Sequence, residues 1–279
     1  MAIVSFWSNI KKETAQTLSI VAIATYMAVE HNSKILILDT NFNNPTINNC
    51  FFNSNMQLAQ SMRSGRVDLG SGISGLTKLI TSGKINPESI TDYTKIIFKN
   101  NRLELLTNVN PENPMEAEKI KSGFPELVKM AGLYYDYVFV DLQKGLDEPF
   151  IKKVIDVSNV VVTNITQRMR DLDEFNILRQ NDPTFRTEKI FPLIGRYDRF
   201  SKYTKKNVAR HLGFRREFSA VPYNTLFFEA ASEGGVRDYF MKFRKDLIDS
   251  SDRNSIFIQE IGNTAENIMM RVQENQMRR

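Results

Sequence analysis

The chain has few of the residues that disulfide bonds and soft metal sites need. Its 279 residues include one cysteine, Cys50, and two histidines, His31 and His211. One cysteine excludes a disulfide within the chain and a cysteine-rich zinc site. The two histidines lie far apart in the sequence, without the spacing of metal ligands. We therefore expect Cys50 to behave as an ordinary small apolar residue, and we expect no metal site built on the histidines.

Long apolar runs are also missing, since no stretch of about twenty apolar residues occurs. Met1 leads directly into a strand pattern rather than into a signal peptide. The 37 basic and 32 acidic residues leave a formal net charge of +5, which permits contact with nucleic acid or anionic lipid but does not require it. We expect a cytoplasmic protein with one sizeable core that touches a membrane at most peripherally.

Glycine is absent from a turn that would need it to bind phosphate. Residues 2–7 have the pattern of a short apolar strand, residues 8–15 form a polar turn, a helix follows, and a second apolar strand ends at Asp39. This is the layout of a nucleotide-binding βαβ unit, whose loop is glycine-rich because the backbone approaches the phosphates closely and often adopts positive φ. Here the turn contains no glycine, and Gln16 precedes Thr17 where the phosphate-binding lysine would fall.

Further apolar runs alternate with helical patterns along the chain. Strands that are apolar throughout and separated by helix-length segments are typical of a parallel sheet covered on both faces. The sequence therefore predicts an α/β fold with an open, doubly wound, mainly parallel sheet, right-handed crossovers and helices on both faces. The predicted strands are residues 103–107, 137–141, 160–163, 190–194 and 218–222, and the predicted helices are residues 73–80, 113–132, 148–157, 167–180 and 204–212.

The end of the chain has its own pattern. Residues 254–277 space their apolar side chains three or four apart, which is helical periodicity. We expect a C-terminal helix packed on the domain. The predicted organisation is an α/β domain over residues 1–247, followed by a helical extension over residues 248–279.

Side chains that suit a magnesium and phosphate site stand at the ends of predicted elements. In an open α/β sheet, ligands bind beyond the carboxyl ends of the strands. Thr17 begins the first helix, where its hydroxyl can ligate Mg²⁺, and Asp141 ends a strand, where its carboxylate can hold the ion through water. Asp39 ends another strand, with Asn41 two residues later. A strand-end aspartate alone is equally often a cap or loop residue, so the prediction depends on the order and spacing of the whole set.

Residues 11–18 resemble the deviant Walker A motif of the ParA/MinD superfamily of ATPases, KGGxGKT[ST]. The resemblance places Lys11 on the signature lysine and Gln16 on the catalytic lysine, and Thr17 is retained. Lys11 and Lys12 would bring positive charge to phosphates beside the helix N-terminus, although a turn of this composition is otherwise solvated surface. Three side chains then stand where the family has glycine: Lys12, Glu13 and Ala15.

Later segments resemble the same superfamily. Residues 135–142 closely match its Walker B pattern, and residues 36–41 resemble its LLIDxD strand, with asparagine in place of the second aspartate. Residues 195–198 and 221–224 resemble the strand ends on the adenine side. The resemblance covers roughly residues 1 to 245, and the Walker B segment is its specific motif match.

The resemblance implies ATP and Mg²⁺ as the cofactors, with Mg²⁺ held by Thr17 and Asp141. It implies catalytic positions at Asp39 and Asn41, of which the second is degenerate because the family's aspartate there helps to position the attacking water. It implies a homodimer. The cofactor-binding residues that it implies are Lys11, Lys12, Gln16, Thr17, Arg196 and Pro222.

Within the superfamily, the chain most resembles TadZ-like proteins of low-GC Gram-positive bacteria, which are associated with pilus and secretion loci. This resemblance implies a cytoplasmic localisation or assembly factor, recruited to the membrane or cell pole, whose partners are pilus or secretion components. The segments that carry it are residues 5–8, 163–168, 195–203 and 222–230.

The departures from the motif decide what activity we expect. Gln16 brings no charge where the family has a lysine, and charge-assisted hydrogen bonds are about twice as strong as neutral ones. We therefore predict weak or absent ATP hydrolysis, with ATP binding left open. The alternative is an active ATPase switch in DNA partition or division-site placement, which the retained Thr17 and Asp141 favour.

Two surfaces could contact other macromolecules. Residues 196–216 contain eight basic side chains and one acidic one, Asp198. Partition relatives bind DNA nonspecifically through such surface, so the segment from Arg199 to Arg216 is a candidate for DNA contact; a solvated helix face is the other interpretation. MinD relatives end in a helix that lies on anionic membrane. Here Glu260, Glu266 and Glu274 oppose the basic side chains of the last helix, which makes membrane contact the weaker interpretation.

Overall fold

A computed structural model of the protein describes residues 1–10, 13–42, 46–53, 72–81, 83, 86–98, 102–107, 111, 113–215, 218–244 and 252–278. Within these residues, eight strands form one sheet in the order β3-β4-β2-β5-β1-β6-β7-β8. The β3–β4 pair is antiparallel, and the other neighbouring pairs are parallel. The strands are β1 (Ala2–Trp7), β2 (Ile35–Asp39), β3 (Lys95–Phe98), β4 (Leu103–Leu106), β5 (Tyr137–Asp141), β6 (Val160–Ile165), β7 (Ile190–Tyr197) and β8 (Ser219–Pro222).

Helices cover both faces of the sheet, which confirms the predicted doubly wound α/β fold. All residues of β2 and β6 are buried, as expected for strands with apolar layers on both sides. The helices are α1 (Gln16–Glu30), α2 (Thr46–Phe51), α3 (Ile73–Thr81), α4 (Pro114–Ala131), α5 (Pro149–Val157), α6 (Met169–Asn181), α7 (Lys205–His211), α8 (Thr225–Glu233), α9 (Val236–Phe243) and α10 (Arg253–Met277), with 3-10 turns at Pro87–Tyr93 and Pro183–Arg186.

Four of these elements were not predicted: α2, β3, α8 and α9. Strand β3 joins the sheet edge with two exposed residues, so its sequence lacks the continuous burial of the central strands. Helices α8 and α9 are short and separated only by Gly234 and Gly235, where the chain leaves α8 with a φ of 78° at Gly234. Two adjacent glycines conceal the helical period on either side of them.

Helix α10 confirms the predicted C-terminal helix and belongs to the same core as α1 and the sheet. It buries Phe257, Ile261, Ala265, Ile268 and Val272 in one cluster with strand and α1 side chains. Two polar contacts also anchor it: Thr264 Oγ1 donates to the Ala220 carbonyl at 3.0 Å, and Asn275 Nδ2 donates to the Asn159 carbonyl at 2.9 Å. The apolar face is therefore already covered. In the part of the chain that the structure describes, no helix is long and apolar enough to cross a membrane.

Candidate nucleotide site

Two carboxylates meet at the carboxyl edge of the sheet. Asp39 ends β2 and Asp141 ends β5, and the two residues are register partners in these neighbouring parallel strands. Both are buried, with 2% and 7% of their surface exposed. This edge is where ligands bind in open α/β sheets, and it holds both of the aspartates that the sequence singled out.

The first turn of α1 covers the Asp141 carboxylate. Thr17 Oγ1 donates to one carboxylate oxygen at 2.9 Å, and Gln16 Nε2 donates to the other at 2.5 Å. The structure thus brings Gln16 and Thr17 together with Asp141, which is remote from them in sequence. Each carboxylate oxygen already accepts a hydrogen bond from this helix.

The donors and the acceptor of the Gln16 amide do not match the groups around it. Its nitrogen lies near three acceptors: the Phe6 carbonyl at 3.1 Å, the Leu142 carbonyl at 2.7 Å and the Asp141 carboxylate at 2.5 Å. An amide nitrogen has two hydrogens, whereas a lysine ammonium has three. The amide oxygen is buried without a partner among the described residues, and exchanging the oxygen and nitrogen positions would set the oxygen against three acceptors. The acceptors around position 16 are therefore matched better by an ammonium group than by an amide.

The turn before α1 keeps the backbone shape that glycine would favour. Glu13 has a φ of 70° and Ala15 a φ of 50°, both in the left-handed region. Such a conformation costs roughly 1–2 kcal/mol for a residue with a Cβ atom. Both residues are among those that the resemblance described above sets against glycine. The turn therefore has a glycine-type backbone conformation without containing glycine.

A glycine on β7 permits this turn to lie against the sheet. A Cβ atom at Gly195 would be only 1.9 Å from the Thr14 carbonyl oxygen. No side chain fits there without displacement of the turn. The sequence signal for this contact is Gly195 itself, which stands at the start of the segment that resembles the adenine-side strand.

Burial and mutual repulsion favour the protonated forms of the two carboxyl groups. Burial, and then the neighbouring Asp141 charge, raises the pKa of Asp39 to about 8; the amide N–H of Asn41, which donates to Asp39 at 2.8 Å, opposes the shift. Burial raises the pKa of Asp141 to about 6, against the hydrogen bonds from Gln16 and Thr17 and the charge of Lys144. A pair of this kind holds a proton near neutral pH.

Cys50 lies close enough to these carboxylates for them to affect its thiol. It is buried on α2, and burial, then Asp141 and Asp39, raises its pKa to about 12. The thiol therefore stays protonated and packs as a small apolar side chain, as predicted.

Lys144 is a charged residue of the site that the sequence reasoning missed. Gln143 N–H donates to Thr40 Oγ1 at 2.8 Å, and Gly145 N–H donates to the Ser8 carbonyl at 3.1 Å, so Lys144 lies in a short bridge between β2 and the turn. Its charge acts on Asp141, and burial lowers the pKa of Lys144. The signal available in the sequence was a lysine three residues after the strand-end Asp141.

The remaining predicted residues occupy different places. Arg196 and Pro222 lie at the carboxyl ends of β7 and β8, two and three strands from β1. Arg196 is exposed, and its guanidinium carbon lies 5.6 Å from the centre of the Tyr223 ring. Lys11, Lys12 and Arg216 lie outside the described residues.

The donors suit Mg²⁺ that arrives with a nucleotide better than a metal held by protein alone. Among the described residues, no group of three or more His, Cys, Asp and Glu side chains is arranged to hold a metal. Magnesium is commonly bound through one or two protein oxygens together with substrate phosphates and water. Thr17 and Asp141 fit that role. Gln16 fits the phosphate-binding role less well because it contributes no charge.

Comparisons with known proteins agree with this fold. No protein-family model and no curated protein matches the sequence, but many solved structures match the fold. A ParA family ATPase from Chlorobium tepidum TLS superimposes with a TM-score of 0.68 and 16% identity, over 92% of this chain and 96% of that one. A proposed plasmid partition protein from Borrelia burgdorferi B31 bound to AMPPNP gives 0.65 and 16%, over 97% and 99%. The cell division ATPase MinD from Pyrococcus furiosus gives 0.64 and 13%, over 96% and 100%.

A mainly parallel sheet of this order, with a strand, turn and helix at its centre, gives the chain a P-loop NTPase-type α/β fold. Within that class, it has the fold of the ParA and MinD ATPases over nearly its whole length.

Proposed function

We propose that this protein is a ParA/MinD-like protein of the TadZ-like kind that acts as a localisation or assembly factor for a pilus or secretion system, with a degenerate ATP site. The observation that carries the proposal is the position of Gln16. Its side chain stands where the catalytic lysine belongs, with its amide nitrogen within hydrogen-bond distance of the Phe6 and Leu142 carbonyls and the Asp141 carboxylate. A binding function survives this replacement more readily than a catalytic one.

Nucleotide binding is part of the proposal. ATP would place its phosphates at the N-terminus of α1, beside Lys11 and Lys12, with Mg²⁺ held by Thr17 and Asp141. The adenine ring of ATP would lie toward Arg196 and Pro222. Support comes from the hydrogen bond between Thr17 and Asp141 and from a neighbour of the same fold that binds AMPPNP.

Hydrolysis would be very slow or absent in this arrangement. Removing one group that stabilises transition-state charge typically costs about 3–4 kcal/mol, or roughly a few hundred-fold in rate. Here the lysine is replaced by neutral Gln16, and the family's second aspartate is replaced by Asn41. Asp39 remains but holds its proton near neutral pH, which weakens it as a base.

The test is a calorimetric titration of the protein with ATP and Mg²⁺, alongside the Gln16→Lys variant. We expect Gln16→Lys to raise the affinity about tenfold or more, because it adds a charge-assisted bond to the phosphates. Gln180→Lys, the same change at an exposed position on α6, is the matched control and should alter nothing.

Three outcomes separate the possibilities. Binding by the natural protein makes it a nucleotide-responsive switch, whose proposed homodimer is then measured by light scattering with and without ATP. No binding, even with lysine restored, leaves the fold as an interaction scaffold. Magnesium-dependent turnover that vanishes in Asp141→Ala would contradict the claim that hydrolysis is weak or absent.

One observation favours a second candidate function, an active ATPase switch in DNA partition or division-site placement. The described part of the basic segment presents Arg199, Lys202, Lys206 and Arg210 at the surface, whereas Lys205 is paired with Glu260 at 3.0 Å. Unpaired surface cations of this kind suit a phosphate backbone. A function in DNA partition requires DNA to bind at this segment, whereas a pilus or secretion function does not.

A further inference from the structure

A cavity lies at the amino edge of the sheet, opposite the candidate nucleotide site. Its volume is about 420 Å³, which is within the usual range for small-molecule sites. Residues that begin β7 and β8 line it, together with α10 and the chain around the 3-10 turn at Pro183–Arg186. Because the strands are parallel, this edge is remote from the strand ends that carry Asp39 and Asp141. The cavity therefore belongs to a different site.

One wall of the cavity carries three arginines that have no paired carboxylate among the described residues: Arg179, Arg186 and Arg215. Arg179 donates to the Leu212 carbonyl at 2.8 Å, and Arg186 donates to the carbonyls of Arg179 and Gln180 at the end of α6. These partners are neutral, so the three positive charges are not neutralised within the described residues. Arg179 Nε is in addition buried without a hydrogen-bond partner there.

The other wall is neutral overall. Arg271 lies 3.3 Å from Glu188 and 3.5 Å from Glu274, and Arg278 lies 3.7 Å from Glu188. Two arginines are thus balanced by two glutamates on this side. The excess positive charge is confined to the first wall, where Arg186 acts on Arg179: burial, and then the Arg186 charge, lowers the pKa of Arg179.

Aromatic side chains form the apolar part of the cavity. Phe214 and Phe218 pack edge to face, with ring centres 4.9 Å apart, and the Arg179 guanidinium lies 4.1 Å from the centre of the Phe214 ring. Guanidinium groups recognise phosphate through paired hydrogen bonds, and aromatic walls accept a flat ring. The combination suits a ligand that joins a ring to an anionic group.

We propose that this arginine cavity binds a phosphorylated small molecule with a planar ring, of the nucleoside monophosphate class. The phosphate of the ligand contacts Arg179 and Arg215, and its ring lies against Phe214 and Phe218. The volume of about 420 Å³ suits a small molecule. The proposal goes beyond the proposed function, because it concerns the opposite edge of the sheet and does not depend on nucleotide binding at Thr17.

The experiment is a calorimetric titration of the full chain with AMP, adenosine and inorganic phosphate. We expect AMP to bind and each half-ligand to bind about tenfold more weakly or worse. Arg215→Ser removes an exposed arginine and should weaken AMP binding about tenfold or more. Arg179→Lys keeps the charge but loses the planar fork, and it should also weaken binding.

Two control variants test whether AMP binds at the cavity. Arg237→Ser removes an exposed arginine on α9 that is paired with Asp238, and it should leave AMP binding unchanged. Thr17→Ala alters the candidate nucleotide site and should leave it unchanged as well. Loss of AMP binding in Thr17→Ala but not in Arg215→Ser would overturn the proposal, as would absence of AMP binding by the natural chain. An acidic peptide that binds through these arginines while AMP does not would overturn it too.

Discussion

At the residue scale, the centre of the candidate site is a buried pair of carboxyl groups that holds a proton near neutral pH. Asp39 and Asp141 are neighbours with little exposure, and no described cation forms an ion pair with either at contact distance. Gln16 supplies hydrogen bonds without charge, so it cannot offset the repulsion as a lysine would. The pair therefore holds a proton near neutral pH.

The raised pKa of Asp39 predicts how the stability of the fold depends on pH. The pKa of Asp39 rises from the ordinary 3.8 to about 8 on folding. The folded state therefore binds the proton more tightly than the unfolded chain, and this contribution to stability is present at low pH and is lost as the pH rises through about 8. A tenfold change in acid strength corresponds to about 1.4 kcal/mol. We expect the free energy of unfolding to fall by at least about 2 kcal/mol between roughly pH 5 and pH 8.5.

Urea unfolding at the two pH values checks this, with Asp39→Asn as the test variant. The amide cannot ionise, so the variant should lose most of the pH dependence and gain stability at the higher pH. Asp156→Asn, at an exposed position on α5, is the control and should keep the dependence. An unchanged slope in Asp39→Asn would show that Asp39 is not the group that titrates.

At the scale of elements, the close approach of α10 to α1 explains why the last helix belongs to the fold. A Cβ atom at Gly262 would lie 2.6 Å from Tyr26 Oη, so the glycine leaves the space that the Tyr26 side chain of α1 occupies against α10. The apolar side chains of α10 then reach the same cluster as the strands. A helix that gives its apolar face to the core has no such face left for a lipid surface.

We expect Ile268→Ala, in the middle of this face, to lower the free energy of unfolding by about 2–5 kcal/mol, because it leaves a cavity in the core. Met277→Ala, at an exposed position of the same helix, should change it by less than about 0.5 kcal/mol. Urea unfolding measures both. If Ile268→Ala proved neutral and the natural protein sedimented with anionic liposomes, the helix would be a membrane element instead.

The elements differ in how far the sequence predicts them. Strands β2, β5 and β6 are apolar throughout and lie between helices, so their pattern alone indicates a parallel sheet. Strand β3 could not be predicted this way, because two of its four residues, Lys95 and Ile96, are exposed, and it joins the sheet edge only by pairing with β4. The local apolar pattern identifies the buried strands of the core, whereas a strand at the edge of the sheet depends on pairing with its neighbouring strand.

The same distinction holds within the site. Thr17 and Asp141 were predicted because each ends or begins an element, and strand order then brings them together. Thr40 and Lys144 were missed, because their roles arise from the bridge that Gln143 and Gly145 make between remote segments. No spacing in the sequence encodes a loop-to-loop hydrogen bond.

At the scale of the whole molecule, positive charge is distributed over both edges of the sheet. The basic segment follows β7 at the carboxyl edge, and the arginine cavity lies at the amino edge. A modest formal charge of +5 therefore conceals two local concentrations. They make separate predictions, since Arg199, Lys202, Lys206 and Arg210 lie on open surface, whereas Arg215, at the end of the same segment, lines the cavity.

The open surface decides between the two candidate functions. If the protein acts in DNA partition, arbitrary duplex DNA should show a salt-sensitive mobility shift, with log affinity falling about 0.9 per phosphate contact for each decade of salt. Replacing Arg199 and Lys202 together with glutamine should then weaken the shift, whereas the same change at Arg237 and Lys242 on α9 should not. For a pilus or secretion factor we expect no shift at low salt, and a shift that tracks the first pair would refute that expectation.

Trp7 gives the molecule a built-in optical reporter. It is the only tryptophan in the chain. Its indole N–H donates to the Gly145 carbonyl at 2.7 Å, beside Lys144, and its ring centre lies 4.7 Å from that of Phe185, which lines the arginine cavity. Its fluorescence emission therefore depends on the loop at one edge of the sheet and on the cavity at the other. A single unlabelled sample can report ligands at both places, and the variants Thr17→Ala and Arg215→Ser assign each change in emission to its source.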